Sequence, residues 1–290
     1  TDVMAEFRLE FTPPPPNDEF AHRLPLTGDT VEFTAWLAGA WLNPGEPTLD
    51  PNGGLPTIWW TWIAPAAGLA TLELAGGGIG WAGAYTGTSL ANLVPVAAMP
   101  HPQTPGTFEV KAGTAYAIAA SGFPSDPYRY RLSLARWMQA DGLAEGATLV
   151  QPATIDFSLA GLTPGDVVTN LTLYDLDGLG LILQTNQLAA VHVDNVLAGA
   201  HELQGHAECA NGRRYALRPV RFNVRHPNDM FATRPTLAGA PVEFDVDLRN
   251  SSIEPGETLA GNGSVWWSWT APATGVVAFT RLSGDEIGLG

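Results

Sequence analysis

A tryptophan-rich segment that occurs twice constrains this chain more than any other feature. Residues 59–65 read Trp-Trp-Thr-Trp-Ile-Ala-Pro, and residues 266–272 read Trp-Trp-Ser-Trp-Thr-Ala-Pro. An Asn-Asp-x-Phe start and a Pro-Gly-Glu turn precede each copy in the same order. The starts, at Asn17 and Asn228, are 211 residues apart, and the turns have the same separation. Three anchors in one order at nearly constant spacing indicate an internal repeat of a folded unit.

The remainder of the first copy consists of short strand patterns. Segments with alternating apolar residues recur between Asn17 and Ala135, with turn residues between them, and no stretch shows sustained helical periodicity. They lie at residues 30–34, 57–63, 70–74, 81–85, 107–110, 115–119 and 128–134. This pattern predicts an all-β fold of tandem β-sandwiches.

The motifs of the first copy resemble those of the bacterial pre-peptidase C-terminal domain. Besides the three anchors, residues 84–90 read Ala-Tyr-Thr-Gly-Thr-Ser-Leu, residues 112–119 read Ala-Gly-Thr-Ala-Tyr-Ala-Ile-Ala, and residues 130–134 read Tyr-Arg-Leu-Ser-Leu. The second copy, residues 228–290, matches the first three motifs. The resemblance implies a jelly-roll-like β-sandwich that is appended to secreted proteins, many of them peptidases.

A different unit follows the first copy. Its strand patterns lie at residues 154–159, 171–175, 198–209 and 219–224, with turns at Asp177-Gly178 and Asn211-Gly212. These patterns resemble bacterial immunoglobulin-like domains. Residues 6–11, with Phe7, Leu9 and Phe11 on one face, resemble the last strand of another such domain.

Five segments are therefore predicted. They are the last strand of an immunoglobulin-like module (1–12), a four-proline linker (13–16), a pre-peptidase-C-terminal-like sandwich (17–136), an immunoglobulin-like sandwich (137–226) and the first half of a second pre-peptidase-C-terminal-like sandwich (227–290). Because a half-sandwich leaves open strand edges, we expect either a continuing chain or another chain to supply the missing strands. The sequence also lacks a signal peptide and an initial Met, which favours a piece of a longer protein.

The tryptophan segment directs its side chains to two faces. The two-residue period of a strand puts Ile58, Trp60 and Trp62 on one face and Trp59 on the other. The aliphatic side chain of Ile58 predicts that the first face is the core.

The opposite face contains the candidate ligand-binding residues, Trp59, Trp81 and Tyr85, with Trp266 in the second copy. An exposed aromatic row would stack on a polysaccharide or anchor a matrix protein such as collagen. Alternatively, a loop or a neighbouring module covers Trp59. Exposure of the row favours a binding function, and burial favours a structural one.

The two Pro-Gly-Glu turns end in Glu46 and Glu257, at similar distances before the tryptophans. Each glutamate either accepts the indole N–H and ties the turn to the strand, or joins loop carbonyls in a calcium site. Calcium binding by the resembled family implies Glu257, Asp285 and Glu286 as ligands in the second copy. The first copy lacks the family's acidic residues, so we expect no calcium there.

Other chemistry is not indicated. The sequence contains no metalloprotease or serine hydrolase motif, and His201 and His206 fall on opposite faces of one strand. The single cysteine, Cys209, falls on the inward face with Leu203 and Ala207, which predicts an inert core thiol. The net charge of −15 argues against nucleic acid and anionic membrane partners, and no segment is apolar enough to insert into a membrane.

The sequence thus predicts a non-enzymatic, extracellular or cell-surface bacterial protein. One hypothesis is a structural or adhesive repeat segment of a stalk, surface layer or filament, whose partners are neighbouring modules or copies of the same protein. The alternative is a substrate- or matrix-binding accessory module of a secreted hydrolase. No cofactor is expected other than calcium.

Overall fold

The computed structural model of the protein describes residues 8–99, 101–124, 127–175, 180–185, 191–248, 251–257 and 263–282. Strands dominate these ranges, and the helices are three single turns of 3₁₀ helix, at Phe20–His22, Leu90–Asn92 and Phe231–Thr233. The predicted all-β fold class is confirmed.

The strands of the first half are β1 (Leu24–Leu26), β2 (Thr30–Trp36), β3 (Thr57–Ile63), β4 (Gly68–Gly76), β5 (Gly80–Thr86), β6 (Val94–Ala98), β7 (Gly106–Val110), β8 (Ala115–Gly122) and β9 (Pro127–Asp141). Those of the second half are β10 (Ala147–Val150), β11 (Ala153–Ala160), β12 (Val168–Asp175), β13 (Gly180–Thr185), β14 (Val191–Val196), β15 (Gly199–Cys209), β16 (Arg214–Leu217), β17 (Val220–Arg225), β18 (Thr236–Leu237) and β19 (Ser268–Trp269).

The chain divides into two compact units. The first extends to Trp137 and includes Asn211–Ala216, and the second contains Met138–Ala210 and the chain from Leu217 onward. The boundaries of these units do not coincide with those of the five predicted segments, which therefore stay predictions.

The first unit is a sandwich of two sheets. One has the strand order β1-β3-β8-β5-β6, and the other has the order β2-β9-β4-β7. The strands from β2 to β9 thus form two interleaved four-stranded sets, β2-β9-β4-β7 and β3-β8-β5-β6, which is the arrangement of a jelly roll. The chain changes sheet at every step except from β5 to β6, which pair with each other.

The two sheets enclose an aromatic core. Ile58, Trp60 and Trp62 are buried in it, so the predicted core face of β3 is confirmed. The ring of Phe33 lies between two other rings. Its centre is 4.7 Å from the ring centre of Trp60 and 5.6 Å from that of Tyr130. Aromatic residues on facing strands therefore fasten the sheets together.

The second unit contains a five-stranded sheet of order β10-β17-β15-β12-β13 and a smaller sheet in which β11 lies between β14 and the end of β9. Inward residues alternate with exposed ones along β15. Cys209 is buried with Leu203 and Ala207, whereas His201 and His206 differ in exposure as predicted. The predicted turn at Asp177-Gly178 lies outside the described residues.

Two segments with a strand pattern form little or no strand among the described residues. Residues 8–12 form no strand, and Leu9 and Phe11 are 99% and 87% exposed. The tryptophan segment of the second copy forms only the two-residue strand β19. In both cases the apolar pattern is present, but a strand also needs a neighbour for its backbone hydrogen bonds.

Candidate functional site

The candidate aromatic residues lie on the outer face of the sheet that contains β3, β8 and β5. Register places Trp59 opposite Ala119, and Ala119 opposite Gly83. The small residues leave room beside the indole ring of Trp59. Leu49 fills part of that room, because a Cβ on Gly83 would lie 2.9 Å from Leu49 Cδ2.

This face is covered, so the predicted exposed row is not present. The exposed fractions are 0% for Trp59, 9% for Trp81 and 6% for Tyr85. Phe20 packs edge-on against Trp59 with 5.0 Å between ring centres, and Leu49, Leu90 and Leu93 pack beside it. The alternative prediction, that a loop covers Trp59, is the one that agrees with the structure. A buried indole is not a surface on which a sugar can stack.

The Asn-Asp start of the repeat secures the cover. The amide of Asn17 donates to Trp59 O at 2.9 Å, and the backbone N–H of Trp59 donates to Asn17 O at 2.8 Å. Asp18 accepts a hydrogen bond from the backbone N–H of Trp41 at 2.9 Å. The segment before β1 is therefore held against β3 and against the loop that precedes β3.

Glu46 binds the same indole from the other side. Trp59 Nε1 donates to Glu46 Oε1 at 2.7 Å, and the backbone N–H of Asn43 donates to Glu46 Oε2 at 3.0 Å. The structural role that the sequence suggested for this glutamate is confirmed. We call the contacts of Trp59 with Asn17, Phe20 and Glu46 the indole clasp.

Burial changes the acid–base properties of the clasp. Desolvation raises the pKa of Glu46 above its ordinary value, although the hydrogen bonds from Trp59 and Asn43 oppose this shift. Burial also raises the pKa of Tyr85 to about 12. Removal of water is the main cause of both shifts, and the charge of Asp18 adds to the rise at Glu46, so the shifts do not identify an active site.

The second copy repeats the indole clasp. Trp266 Nε1 donates to Glu257 Oε1 at 2.9 Å, and the backbone N–H of Trp266 donates to Asn228 O at 2.8 Å. Phe231 packs edge-on against Trp266 with 5.1 Å between ring centres. Trp266 is half-buried here and is also part of a structural contact, not a free platform.

The predicted calcium site has little support among the described residues. Both carboxylate oxygens of Glu257 accept hydrogen bonds, Oε2 from Ser264 at 2.7 Å and Oε1 from Trp266. The bond from Ser264 is the main reason that the pKa of Glu257 is lowered. In the part of the chain that the structure describes, no three His, Cys, Asp or Glu side chains are grouped to hold a metal ion. Asp285 and Glu286 lie outside that part, so the site stays a prediction.

Sequence reasoning missed a buried polar cluster in the second unit. His201 Nδ1 lies 2.5 Å from Asp175 Oδ2, and His201 Nε2 lies 2.8 Å from Leu197 O. The ring also stacks on Phe222 with 5.0 Å between centres. Strand parity predicted only that His201 and His206 lie on opposite faces, and the register of β12 against β15 brings Asp175 to His201. With both nitrogens engaged by structural oxygens, the cluster joins strands and offers no open coordination position.

The comparisons with known proteins add fold-level likeness only. No protein-family model matches the sequence, and no curated protein matches it. Fibronectin(III)-like modules of Clostridium thermocellum CbhA are 19% identical, with a TM-score of 0.26, over 30% of this chain and 93% of theirs. PliG of Aeromonas hydrophila, a periplasmic inhibitor of g-type lysozyme, is 12% identical, with a TM-score of 0.29, over 39% of this chain and 95% of its own. No helix among the described residues has the length and apolarity needed to cross a membrane. At TM-scores this low, neither likeness carries an argument, and the all-β sandwich fold rests on the strands themselves.

Proposed function

We propose that this chain is a non-catalytic structural segment of a secreted or cell-surface bacterial protein, built from repeated β-sandwich modules. The observation that carries the proposal is that the repeated motif is used for folding in both copies. Its Asn, Phe, Glu and first Trp bind one another, at Trp59 and again at Trp266. Because the polar groups of the motif are hydrogen-bonded within its own fold, no ligand is needed to explain why the motif occurs twice.

We infer that the first unit is a module like the pre-peptidase C-terminal domain and that β10–β17 belong to an immunoglobulin-like module. Six ordered sequence motifs and the jelly-roll strand order support the first assignment. Two sheets with alternating inward residues support the second. The net charge of −15 favours a solvated extracellular setting and disfavours nucleic acid and anionic lipid as partners.

The alternative proposal, an accessory module that binds polysaccharide or matrix protein for a secreted hydrolase, depends on an aromatic platform. The three rings proposed for it in the first copy are buried, and the fourth is part of a structural contact. This observation favours the structural proposal over the accessory one.

Native mass spectrometry of the intact protein, with a polysaccharide and collagen binding screen on the same sample, tests the proposal. We expect masses that are multiples of 30.7 kDa and no saturable binding to the screened polymers. A monomer of 30.7 kDa would contradict assembly from copies of this chain. Saturable polymer binding that Trp59→Phe abolishes would establish the accessory function instead.

A further inference from the structure

The buried pair of His201 and Asp175 in the second unit joins the start of β15 to the end of β12. Both side chains are nearly covered, with exposed fractions of 7% and 10%. Asp175 is also held through its other carboxylate oxygen, because the backbone N–H of Glu202 donates to Oδ1 at 3.1 Å. The pair therefore has a defined geometry and little access to water.

Both ring nitrogens of His201 face oxygens that only accept hydrogen bonds when Asp175 is ionised. Nδ1 lies 2.5 Å from Asp175 Oδ2, and Nε2 lies 2.8 Å from the backbone carbonyl oxygen of Leu197. A neutral imidazole has one N–H and one bare nitrogen, so it can donate to only one of these oxygens. The bare nitrogen would direct its lone pair at a lone pair of the other oxygen. The imidazolium, with an N–H on each nitrogen, satisfies both contacts.

The contacts of the ring also favour a positive charge on it. A carboxylate next to a histidine stabilises the charged form of the histidine. Because an imidazole is more basic than a carboxylate, a proton held by this pair resides on His201 and not on Asp175. The ring of Phe222 stacks on the imidazole, with 5.0 Å between centres and 15° between planes. An aromatic face at this position attracts a cation.

The charged residues next to this contact bind one another. Glu202 follows His201 on β15, and Arg221 lies opposite Glu202 on β17. The alternation of a strand directs Glu202 away from His201, and Arg221 Nε donates to Glu202 Oε2 at 2.8 Å. Glu145, which precedes β10, accepts from the backbone N–H of Arg221 at 2.9 Å. Asp175 is therefore the carboxylate whose charge faces the ring of His201.

We propose that His201 is an imidazolium in the folded second unit at neutral pH, and that its pair with Asp175 is a pH-sensitive switch between β12 and β15. Loss of the proton removes one of the two hydrogen bonds and leaves the buried charge of Asp175 without its counter-charge. A histidine in an unfolded chain is mostly neutral above about pH 6.5, so unfolding above that pH releases the proton. The stabilisation is therefore complete below about pH 6.5 and declines as pH rises, until the folded unit has also lost the proton. The inference rests on the geometry of this pair and not on the structural role proposed above.

Two-bond nitrogen–proton NMR of the histidine rings in the intact chain tests the charge of His201 directly. We expect both of its ring nitrogens to carry protons at about pH 7.5, one unit above the ordinary value for histidine. The signals that His201→Gln removes provide the assignment. A native His201 with one bare nitrogen at this pH overturns the proposal.

Asp175→Asn removes the need for the second proton while it keeps the shape of the side chain. Its amide can donate to Nδ1 of a neutral ring, whose Nε2 still donates to Leu197 O, so we expect a folded variant. His201 should then carry one ring proton at about pH 7.5. Two ring protons in this variant would show that Asp175 does not hold the charge, and the proposal would be wrong.

The exposed pair of His192 and Asp156 is the matched control. Its Nδ1–Oδ1 distance is 2.6 Å, but its side chains are 58% and 72% exposed. Because water can satisfy either form of an exposed ring, Asp156→Asn is expected to leave the charge of His201 and the stability of the unit unchanged. An effect equal to that of Asp175→Asn would indicate a general response to charge and would contradict the proposal.

The reactivity of Cys209 measures how the switch changes stability. This buried thiol lies at the other end of β15, opposite Val168 of β12. Its rate of labelling by a disulfide reagent is measured in moderate urea, where labelling proceeds through unfolding of the unit. Division by the rate in the fully unfolded chain at the same pH removes the effect of the thiol's own ionisation.

The labelling ratio should depend on pH only when the switch is intact. Because unfolding releases one proton, we expect the ratio to rise by up to about tenfold per pH unit above about pH 6.5 in the native chain. The ratio in Asp175→Asn should lack this rise, and that in Asp156→Asn should keep it. Equal slopes in the native chain and Asp175→Asn overturn the proposal.

Discussion

The two copies of the repeat share their local contacts and differ wherever a distant strand is needed. The indole clasp has nearly the same distances at Trp59 and Trp266, and β18 pairs with β19 in the register of β1 with β3. Trp62 Nε1 donates to Gly28 O, and Trp269 Nε1 donates to Gly239 O. All these contacts join residues within about 40 positions of one another in the chain, a span for which loop closure costs little entropy.

The hydrogen-bonded strand ladders differ between the two copies. In the first copy β3 is seven residues long and pairs with β8, whereas in the second copy β19 is two residues long. The tryptophans of β19 and its flank are half-buried, and those of β3 are buried. The Pro-Gly-Glu turn, the indole clasp and the register of the parallel strand pair therefore form within the repeat itself. The long strands form only where the whole sandwich is present.

Hydrogen exchange should show the largest difference between the copies. The backbone amides that β2 directs to β9 exchange only when the first sandwich opens, whereas the amides of residues 241–248 are not held in a ladder. We expect exchange about a thousandfold slower or more in β2, measured by mass spectrometry of peptides that cover the two segments. Equal exchange would mean that the sandwich does not stabilise β2, and the comparison would fail.

The second largest difference is expected in the unfolding free energy that is lost when a core tryptophan is removed from each copy. Trp60→Ala removes a ring buried between two sheets and is expected to cost about 3–5 kcal/mol of unfolding free energy. Trp267→Ala removes a half-buried ring and is expected to cost about 1 kcal/mol or less, since less apolar area returns to water. Urea unfolding followed by near-ultraviolet circular dichroism measures both variants against the native chain. A similar loss in the two would show that Trp267 is as well packed as Trp60.

A smaller difference is expected in the unfolding free energy that is lost when the clasp tryptophan of each copy is replaced by phenylalanine. Trp59→Phe keeps an aromatic ring but removes the donor to Glu46, which leaves a partly buried carboxylate oxygen without that bond and costs about 1–3 kcal/mol. Trp266→Phe is expected to cost less, because Trp266 is half-buried whereas Trp59 is fully buried, so water can reach the carboxylate of Glu257 more easily. Adding Glu46→Gln to Trp59→Phe should recover part of the loss, because a neutral amide is less costly to bury. No recovery would show that the loss comes from packing alone.

The pKa values of the two clasp glutamates, Glu46 and Glu257, should be shifted in opposite directions. This is the smallest of the expected differences between the copies. Burial raises the pKa of Glu46 above 4.5, and the hydrogen bond from Ser264 lowers that of Glu257 below 4.5. Glu46 therefore contributes to folding below its unfolded pKa and loses this contribution as pH rises through its folded value. Glu257 contributes above its unfolded pKa and loses this contribution as pH falls through its folded value.

Carbon-13 NMR of the side-chain carboxyl groups measures the two titrations directly. Glu46→Gln and Glu257→Gln each remove one signal and so assign it. We expect the Glu46 signal to shift at higher pH than the Glu257 signal, and the reverse order would contradict the difference in burial between the copies.

Much of the first sandwich was predictable because its signals are local. Alternation located seven strands of the first unit, and β3 was predicted with its observed ends. Strands β1 and β6 were missed, because Leu24–Leu26 and Val94–Ala98 are short and contain proline. The strand predicted at residues 6–11 has no neighbour in the described chain, so its pattern alone did not produce a strand.

The candidate site separates what sequence and tertiary structure each decide. The sequence by itself determined the repeat and the opposite directions of Trp59 and Trp60, because strand period acts over a few residues. It gave the pairing of Glu46 with the indole of Trp59 as one of two roles, and the structure shows that pairing. Only the tertiary structure decided that the outer face is closed, since Phe20 and Leu49 reach Trp59 through loops whose paths no period encodes. It also decided that β2 pairs with β9, since a ladder forms only where two strands satisfy each other's backbone groups.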